Sequence, residues 1–243
     1  MATISDRAIC IRHWDFSETS QTVSLFAREQ GLIRGLAKGS RRERSSFSGG
    51  IDLLTLGDVV AIIKPSTELA TITEWGLARV WWTIRRNASA NRVAYYFADC
   101  IGRMLEKRDP HPGIFDGLVR TLDAMEDGMG EDEALLRFQW LLLLDTGYKP
   151  KIDPPDATDQ ETLAFSAKDG GLVEPDSMTG LWRVRRTTVD LLEHFERSNQ
   201  LPDGEPETIR RASRLLAAYL REIMGVEPST MKLVFPDLAG GRV

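Results

Sequence analysis

Apolar and polar positions alternate through the first third of the chain. Along TISDRAICIRHWDF, Ile4, Ala8, Cys10 and Arg12 alternate with neighbours of different polarity, the period of a half-buried strand. A polar turn, Ser17-Glu18-Thr19-Ser20, follows. Thr22, Val23, Leu25 and Phe26 then read as a second strand, and Leu32, Ile33 and Leu36, past a Gln30-Gly31 turn, as a third. Ile51 to Ile63 reads as a fourth and Leu69 to Trp75, with alternating β-branched residues, as a fifth. Glycines at 31, 35, 39, 49, 50 and 57 punctuate the runs. Five short strands in so few residues fit an OB-type barrel; an SH3-like barrel is the other small barrel that the pattern admits.

After Trp82 the period changes to that of a helix. Val93, Phe97, Cys100, Ile101, Met104 and Leu105 mark one amphipathic helix, ending near Asp109-Pro110. Ile114, Leu118, Leu122 and Met125 mark a second, which stops before Gly128. EDEALLRFQWLLLLDTGY makes a third that is apolar nearly all round and therefore central. Thr188 to Ser198 is shorter. Pro206 to Met224 opens on proline and stops before Gly225. Residues 148–182, rich in proline, aspartate and glycine, interrupt this bundle as a loop-rich insert with one short hairpin. Leu163, Phe165, Leu172 and Val173 are its candidate packing residues. The expected fold class is α+β: a five-stranded OB barrel over 1–80, then an all-α domain over 81–243, with Trp81-Trp82 packing at the hinge or, as the alternative, forming an exposed partner-docking patch.

Charge changes the picture at one place. The chain carries 31 basic and 36 acidic side chains in 243 residues. Residues 1–80 hold ten Lys/Arg against nine Asp/Glu, so the acidic excess falls in the remainder. Within 1–80 the cations cluster: Arg28, Arg34, Lys38, Arg41, Arg42 and Arg44 face only Glu29 and Glu43. A basic, serine- and glycine-rich loop between barrel strands suits a phosphate backbone. Single-strand sites pair a cationic groove with aromatic faces. The candidate cations are Arg34, Lys38, Arg41, Arg42 and Arg44, with Arg12 on a neighbouring strand. The candidate rings are Trp14, Phe16 and Phe47, the last expected to be exposed among Ser45, Ser46 and Ser48.

At these residues the chain resembles the RecO family of bacterial recombination mediators. The family's early strand and ETS turn match Asp15-Phe16-Ser17-Glu18-Thr19-Ser20, and its LFTRExGLI hairpin matches Leu25 to Ile33. Its AKGAR loop matches Ala37-Lys38-Gly39-Ser40-Arg41-Arg42, and a T-x-x-E strand matches Thr71 to Trp75. From Tyr95 onward the match is looser. The resemblance implies DNA repair and homologous recombination without catalysis: binding of single- and double-stranded DNA, strand annealing, and loading of recombinase onto strands coated by single-strand-binding protein. It implies RecR and the acidic tail of the single-strand-binding protein as partners, and RecA indirectly. Arg210, Arg211, Arg214 and Arg221, on the last long helix, are candidate rim residues for such a tail. The alternative is a scaffold that binds RecR or that tail with little direct contact to DNA.

Many relatives that the resemblance brings in carry a four-cysteine zinc site in the insert. Here Thr146-Gly147-Tyr148 and Phe165 to Gly171 are present without the cysteines. A thiolate site needs about four ligands close together, so no zinc or other cofactor is expected. Cys10 and Cys100 could by number form one disulfide, but far apart in apolar surroundings they read as two buried free thiols. His13, His111 and His194 are scattered, and no Walker loop, dinucleotide fingerprint or GxSxG elbow occurs. Asp123, Glu126 and Asp127, like Glu131, Asp132 and Glu133, fit helix-end and solubility roles. No apolar run reaches the ~18 residues of a membrane span, and MATISDRAIC lacks a signal-peptide core. The chain therefore reads as cytoplasmic and nucleoid-associated.

Overall fold

The structure is a computed structural model that describes residues 2–64, 67–153, 160–174, 180–202 and 205–238. Two compact units divide the chain, Met1–Asp127 and Gly128–Val243.

Five strands build the first unit's barrel: β1 (Ala2–Ser17), β2 (Ser20–Ala27), β3 (Gly31–Ala37), β4 (Thr55–Ile63) and β5 (Ala70–Val80). Their order is β1-β2-β3-β5-β4, and β4 pairs back onto β1, which closes the ring and leaves no edge at that end. Only β3 and β5 run parallel. This is the OB-type arrangement that the alternation predicts. β1 is long enough to serve both neighbours: Ala2–Ile9 pairs with β4 and Ala8–Ser17 with β2. Its inward residues join Val23, Leu25, Ile33, Val59, Ile72 and Trp75 in the barrel core.

The fourth strand begins at Thr55, later than Ile51. Leu54 takes a φ of 53°, and the Thr55 hydroxyl donates to the Asp52 carbonyl at 2.6 Å, so the chain turns where the apolar run suggested extension. Ile51 is wholly buried all the same, as part of a plug described below.

Three helices complete this unit: α1 (Trp82–Arg86), α2 (Ala88–Met104) and α3 (Pro112–Glu126). Asn87 caps α2 through its side-chain oxygen, which accepts from the N–H groups of Ser89 and Ala90. Trp81 is buried, and its indole N–H donates to Asp123 Oδ1 at 2.7 Å, whereas Trp82 is 56% exposed. Glu126 accepts from the N–H groups of Thr83 (3.0 Å) and Ile84 (3.3 Å), so its carboxylate satisfies the free N-terminus of α1. Desolvation pushes its pKa up, but these N–H donors outweigh it and the net shift is downward. Asp123 and Glu126 are therefore partners of Trp81 and α1 rather than solvated helix-end charges.

The turn between β2 and β3 is fixed on both sides. Arg28 grips Asp116 of α3 with two hydrogen bonds of 2.8 Å. Gly31 has a φ of 64°, and a Cβ there would lie 2.1 Å from the Asp109 carbonyl oxygen, so only glycine fits.

The second unit holds α4 (Glu131–Asp145), α5 (Arg186–Ser198), α6 (Pro206–Met224) and the short α7 (Met231–Val234). Leu135, Leu136, Phe138, Leu142 and Leu143 make α4 apolar nearly all round, and all are buried. Within 148–182 the described residues form more than one hairpin. Strands β6 (Thr162–Ser166), β7 (Gly171–Val173) and β8 (Trp182–Arg185) make a sheet in the order β7-β6-β8. Phe165 stacks on Trp182 at 5.6 Å and meets the edge of Tyr219 at 5.4 Å, which anchors the sheet to α6. Leu163 and Phe165 are buried, while Leu172 and Val173 are half-buried.

Candidate nucleic-acid interface

Strand register decides what the barrel shows to solvent. Arg12 lies opposite Ser24, and Ser24 opposite Arg34; Trp14 lies opposite Thr22, and Thr22 opposite Leu36. The intervening Val23 and Leu25 point inward. The outer face of β1, β2 and β3 thus carries a cationic row and an aromatic row, ~7 Å apart along the strands. Phe16, two residues beyond Trp14, is 65% exposed, and Trp14 is 45% exposed. A groove of about 630 Å³ runs over Arg12, Trp14, Ser24 and Arg34, and Leu105 and Lys107, past the end of α2, form its far wall.

Lys107 is a cation that the sequence reading missed. A bridge between Leu32 and Lys107 brings it beside β3. Its partner is Glu68, at 3.5 Å, with both side chains well exposed. The Lys107-Arg108 pair was visible as charge, but nothing local in the sequence places it at the groove.

The basic loop is a folded plug. Gln21, 1% exposed, holds both of its ends: its Oε1 accepts from the Ile51 N–H (3.0 Å) and the Ser40 hydroxyl (2.9 Å), while its Nε2 donates to the Ile51 carbonyl (3.1 Å). The Trp75 N–H donates to the Ser46 carbonyl at 2.8 Å, and the Ser48 hydroxyl donates to the Trp75 carbonyl at 3.2 Å. Phe47, expected to be an exposed stacking ring, is only 5% exposed and sits in the barrel core with Ile51. The Ser45 and Ser48 hydroxyls bond the backbone, Ser46 is exposed, and the ring packs inside the barrel. Phe47 has no free face for a base in this structure.

The loop's outer side lies against the β1–β2 turn. The Gly39 N–H donates to Ser20 Oγ and the Arg41 N–H to the Thr19 carbonyl, both at 3.1 Å. Its cations are therefore carried on fixed backbone, at the end of the β1–β2 pair where Trp14 and Phe16 stand. Two of the six expected cations are engaged internally. Arg41 bonds Asp15 at 2.5 Å. Arg12 bonds Asp99, which is 4% exposed and also accepts from Arg103 at 2.9 Å. Among the described residues, Arg34, Lys38, Arg42 and Arg44 make no ion pair, and all four are exposed. Arg28, by contrast, is committed to Asp116, whose pKa falls through its bond to that guanidinium.

In the second unit the four α6 arginines all have partners. Arg210 reaches Asp132 (3.1 Å) and Glu207 (3.5 Å), Arg211 reaches Glu207 (3.6 Å) and Arg214 reaches Asp237 (3.0 Å). Arg221, 12% exposed, donates to the Leu238 carbonyl at 2.8 Å and so fastens the chain beyond α6 instead of standing on a rim.

Among the described residues no group of three or more His, Cys, Asp or Glu side chains could hold a metal. Cys10 and Cys100 are free and buried, and desolvation pushes each thiol pKa up to about 12. No helix among them is long and apolar enough to cross a membrane.

Residues 1–81 match the family model for the N-terminal part of recombination protein O, and residues 85–230 the model for its C-terminal part. The chain belongs to the RecO family. The DNA repair protein RecO of Rhodopirellula baltica is 31% identical over 209 residues, which cover 83% of this chain and 77% of that protein. The RecO of Syntrophotalea carbinolica is 24% identical over 239 residues, 91% of this chain and 90% of its own. That of Dehalococcoides mccartyi is also 24% identical, over 237 residues. RecO proteins act in DNA repair and recombination as mediators and not as enzymes. The two RecO models meet at residues 82–84, where α1 begins, whereas the first compact unit continues to Asp127.

Proposed function

We propose that this RecO-family chain binds single-stranded DNA along the outer face of β1–β3 and uses that surface to promote annealing. One observation carries the reading: four unpaired cations, Arg34, Lys38, Arg42 and Arg44, share one end of an OB-type barrel with two exposed rings, Trp14 and Phe16. OB barrels use the face of strands two and three, with the adjoining loops, for oligonucleotides. Phosphates supply charge-dependent affinity, and rings supply sequence-tolerant stacking. Because the plug already fixes the loop backbone, little conformational entropy is lost when the strand arrives.

Annealing needs no nucleotide hydrolysis in this scheme. Cations that screen two strands lower their repulsion, and base pairing supplies the free energy. The acidic remainder of the chain directs the polyanion to one face. RecR, the tail of the single-strand-binding protein and, through them, RecA are the proposed partners; double-stranded DNA is a second substrate for the same phosphate contacts. Ion pairs among exposed side chains are weak, so the α6 arginines other than Arg221 remain candidates to exchange their own carboxylates for those of an acidic tail.

The test is binding and annealing by the full chain at two ionic strengths, with labelled complementary strands. Affinity that falls steeply with salt, together with faster annealing, supports the reading. Absence of binding to either strand type at low salt, with intact binding of RecR or the tail peptide, would replace it with the scaffold.

A further inference from the structure

Asp99 is a buried carboxylate with two cations on one oxygen. Its Oδ1 accepts from Arg103 Nε at 2.9 Å and from Arg12 Nη2 at 2.5 Å. The two guanidiniums are held differently. Arg103 stands on the same helix as Asp99, four residues on. Arg12 reaches across from β1, is 39% exposed and lines the groove. Among the described residues its Nε and Nη1 donate to nothing. The part of α2 beside it is Gly102. The Cβ that this residue lacks would stand 3.8 Å from Arg12 Nε and Nη2, so no side chain there covers the guanidinium.

Taking one partner from a buried ion pair is ordinarily costly, because the other charge is left uncompensated. Here Arg103 stays on Asp99 when Arg12 departs, so the carboxylate keeps a cation. Arg12 is the releasable one of the two. Around it the groove carries Arg34 and Lys107 against Glu106, with Ser24 between Arg12 and Arg34 in the strand register. Arg34 is exposed and makes no ion pair among the described residues. The bond from Lys107 to Glu68 joins two exposed side chains and is weak. A groove lined this way attracts an anion, and a guanidinium matches two phosphate oxygens at once.

We infer that Asp99 withholds Arg12 from the DNA. An arriving backbone phosphate draws Arg12 off Asp99 into the groove, where Arg12, Arg34 and Lys107 hold it, while Arg103 stays behind on the carboxylate. The inference rests on the single-strand reading above: it names one phosphate site within that surface and the residue that limits its strength. Asp99 itself touches no DNA. Parting Arg12 from it lowers affinity for a single strand, so a bound strand is given up more readily once it pairs.

The experiment measures anisotropy of a labelled oligothymidylate with the full chain at several salt concentrations. Asp99→Asn keeps the shape and removes the charge. Its salt slope should be steeper than that of wild type by up to about 0.7, one further phosphate contact, and its affinity at low salt several-fold higher. Adding Arg12→Ala should abolish that gain. Adding Arg103→Met instead, at the same net charge, should leave it, because a neutral residue 99 needs no cation. Should Asp99→Asn not fold, Arg103→Met alone carries the test. Asp99 then keeps Arg12, so this variant should bind as weakly, and with as shallow a slope, as Arg12→Ala. Asp99→Asn binding no tighter than wild type overturns the inference, and so does a gain that survives Arg12→Ala or is lost with Arg103→Met. Arg103→Met binding like wild type does the same. In each of these cases the single-strand reading stands. A wild type that binds no single strand at any salt overturns both.

Discussion

Replacing Arg42 and Arg44 together by alanine tests the phosphate contacts with a number that the structure supplies. Four cations at the interface, Arg34, Lys38, Arg42 and Arg44, have no ion-pair partner among the described residues. Each phosphate neutralised on a single strand contributes about −0.7 to the slope of log affinity against log salt, so four give a slope of about −3. Raising salt from about 50 to about 200 mM then costs the wild type roughly 50-fold in affinity. With two cations left, the slope falls to about −1.4 and the same change costs roughly sevenfold. Arg12 and Arg41 add less, because each must first leave Asp99 or Asp15. Both replaced residues are exposed loop cations, so stability should change by less than about 0.5 kcal/mol. Fluorescence anisotropy of a labelled oligothymidylate at four salt concentrations measures the slope. A variant slope equal to that of wild type would refute the reasoning, as would a wild-type slope near zero.

Trp14→Ala and Phe16→Ala should each weaken single-strand binding by about 1–3 kcal/mol if a base stacks there, with the salt slope unchanged; loss of fold in place of affinity, seen by thermal melting, would count against them. Phe47→Ala should act the opposite way. It opens a hole in the barrel core and should cost about 3–5 kcal/mol in chemical denaturation, whereas an exposed ring would cost almost nothing. The Arg28–Asp116 pair makes a prediction with pH. Because the Asp116 pKa is depressed in the fold, its stabilisation is present above the ordinary carboxylate range and is lost as pH falls through the folded value. Wild type should therefore melt above Asp116→Asn at pH 7, and the gap should close in acid; a gap constant down to about pH 2 would contradict the assignment.

The barrel was legible because alternation, turn glycines and apolar runs are local signals. The plug was not. Phe47 sits in SSFSGG, which reads as a solvent loop, and only closure of the ring creates the hole that it fills. Ile51 and Leu53-Leu54 looked like the start of a strand because they are apolar, but burial in the plug, not pairing, explains them. The third strand of the insert sheet, WRVR, hid behind its two arginines. Residue types at the interface were readable from charge density, but their pairing was not. Asp99 lies within the amphipathic helix marked by Val93 to Leu105, and it holds both Arg12 and Arg103 from 4% exposure. Lys107 reached the groove only through a bridge to a strand 75 positions earlier. Charge partners far apart in sequence leave no periodic trace, and here they decide which cations stay open.

Photocrosslinking the full chain to a bromouracil-substituted single strand, followed by peptide mapping, asks directly where DNA lies. Adducts should concentrate in β1 around Trp14 and Phe16 and in the loop from Lys38 to Arg44. Adducts confined to residues 128–243, with the barrel untouched, would contradict the placement of DNA on the barrel face.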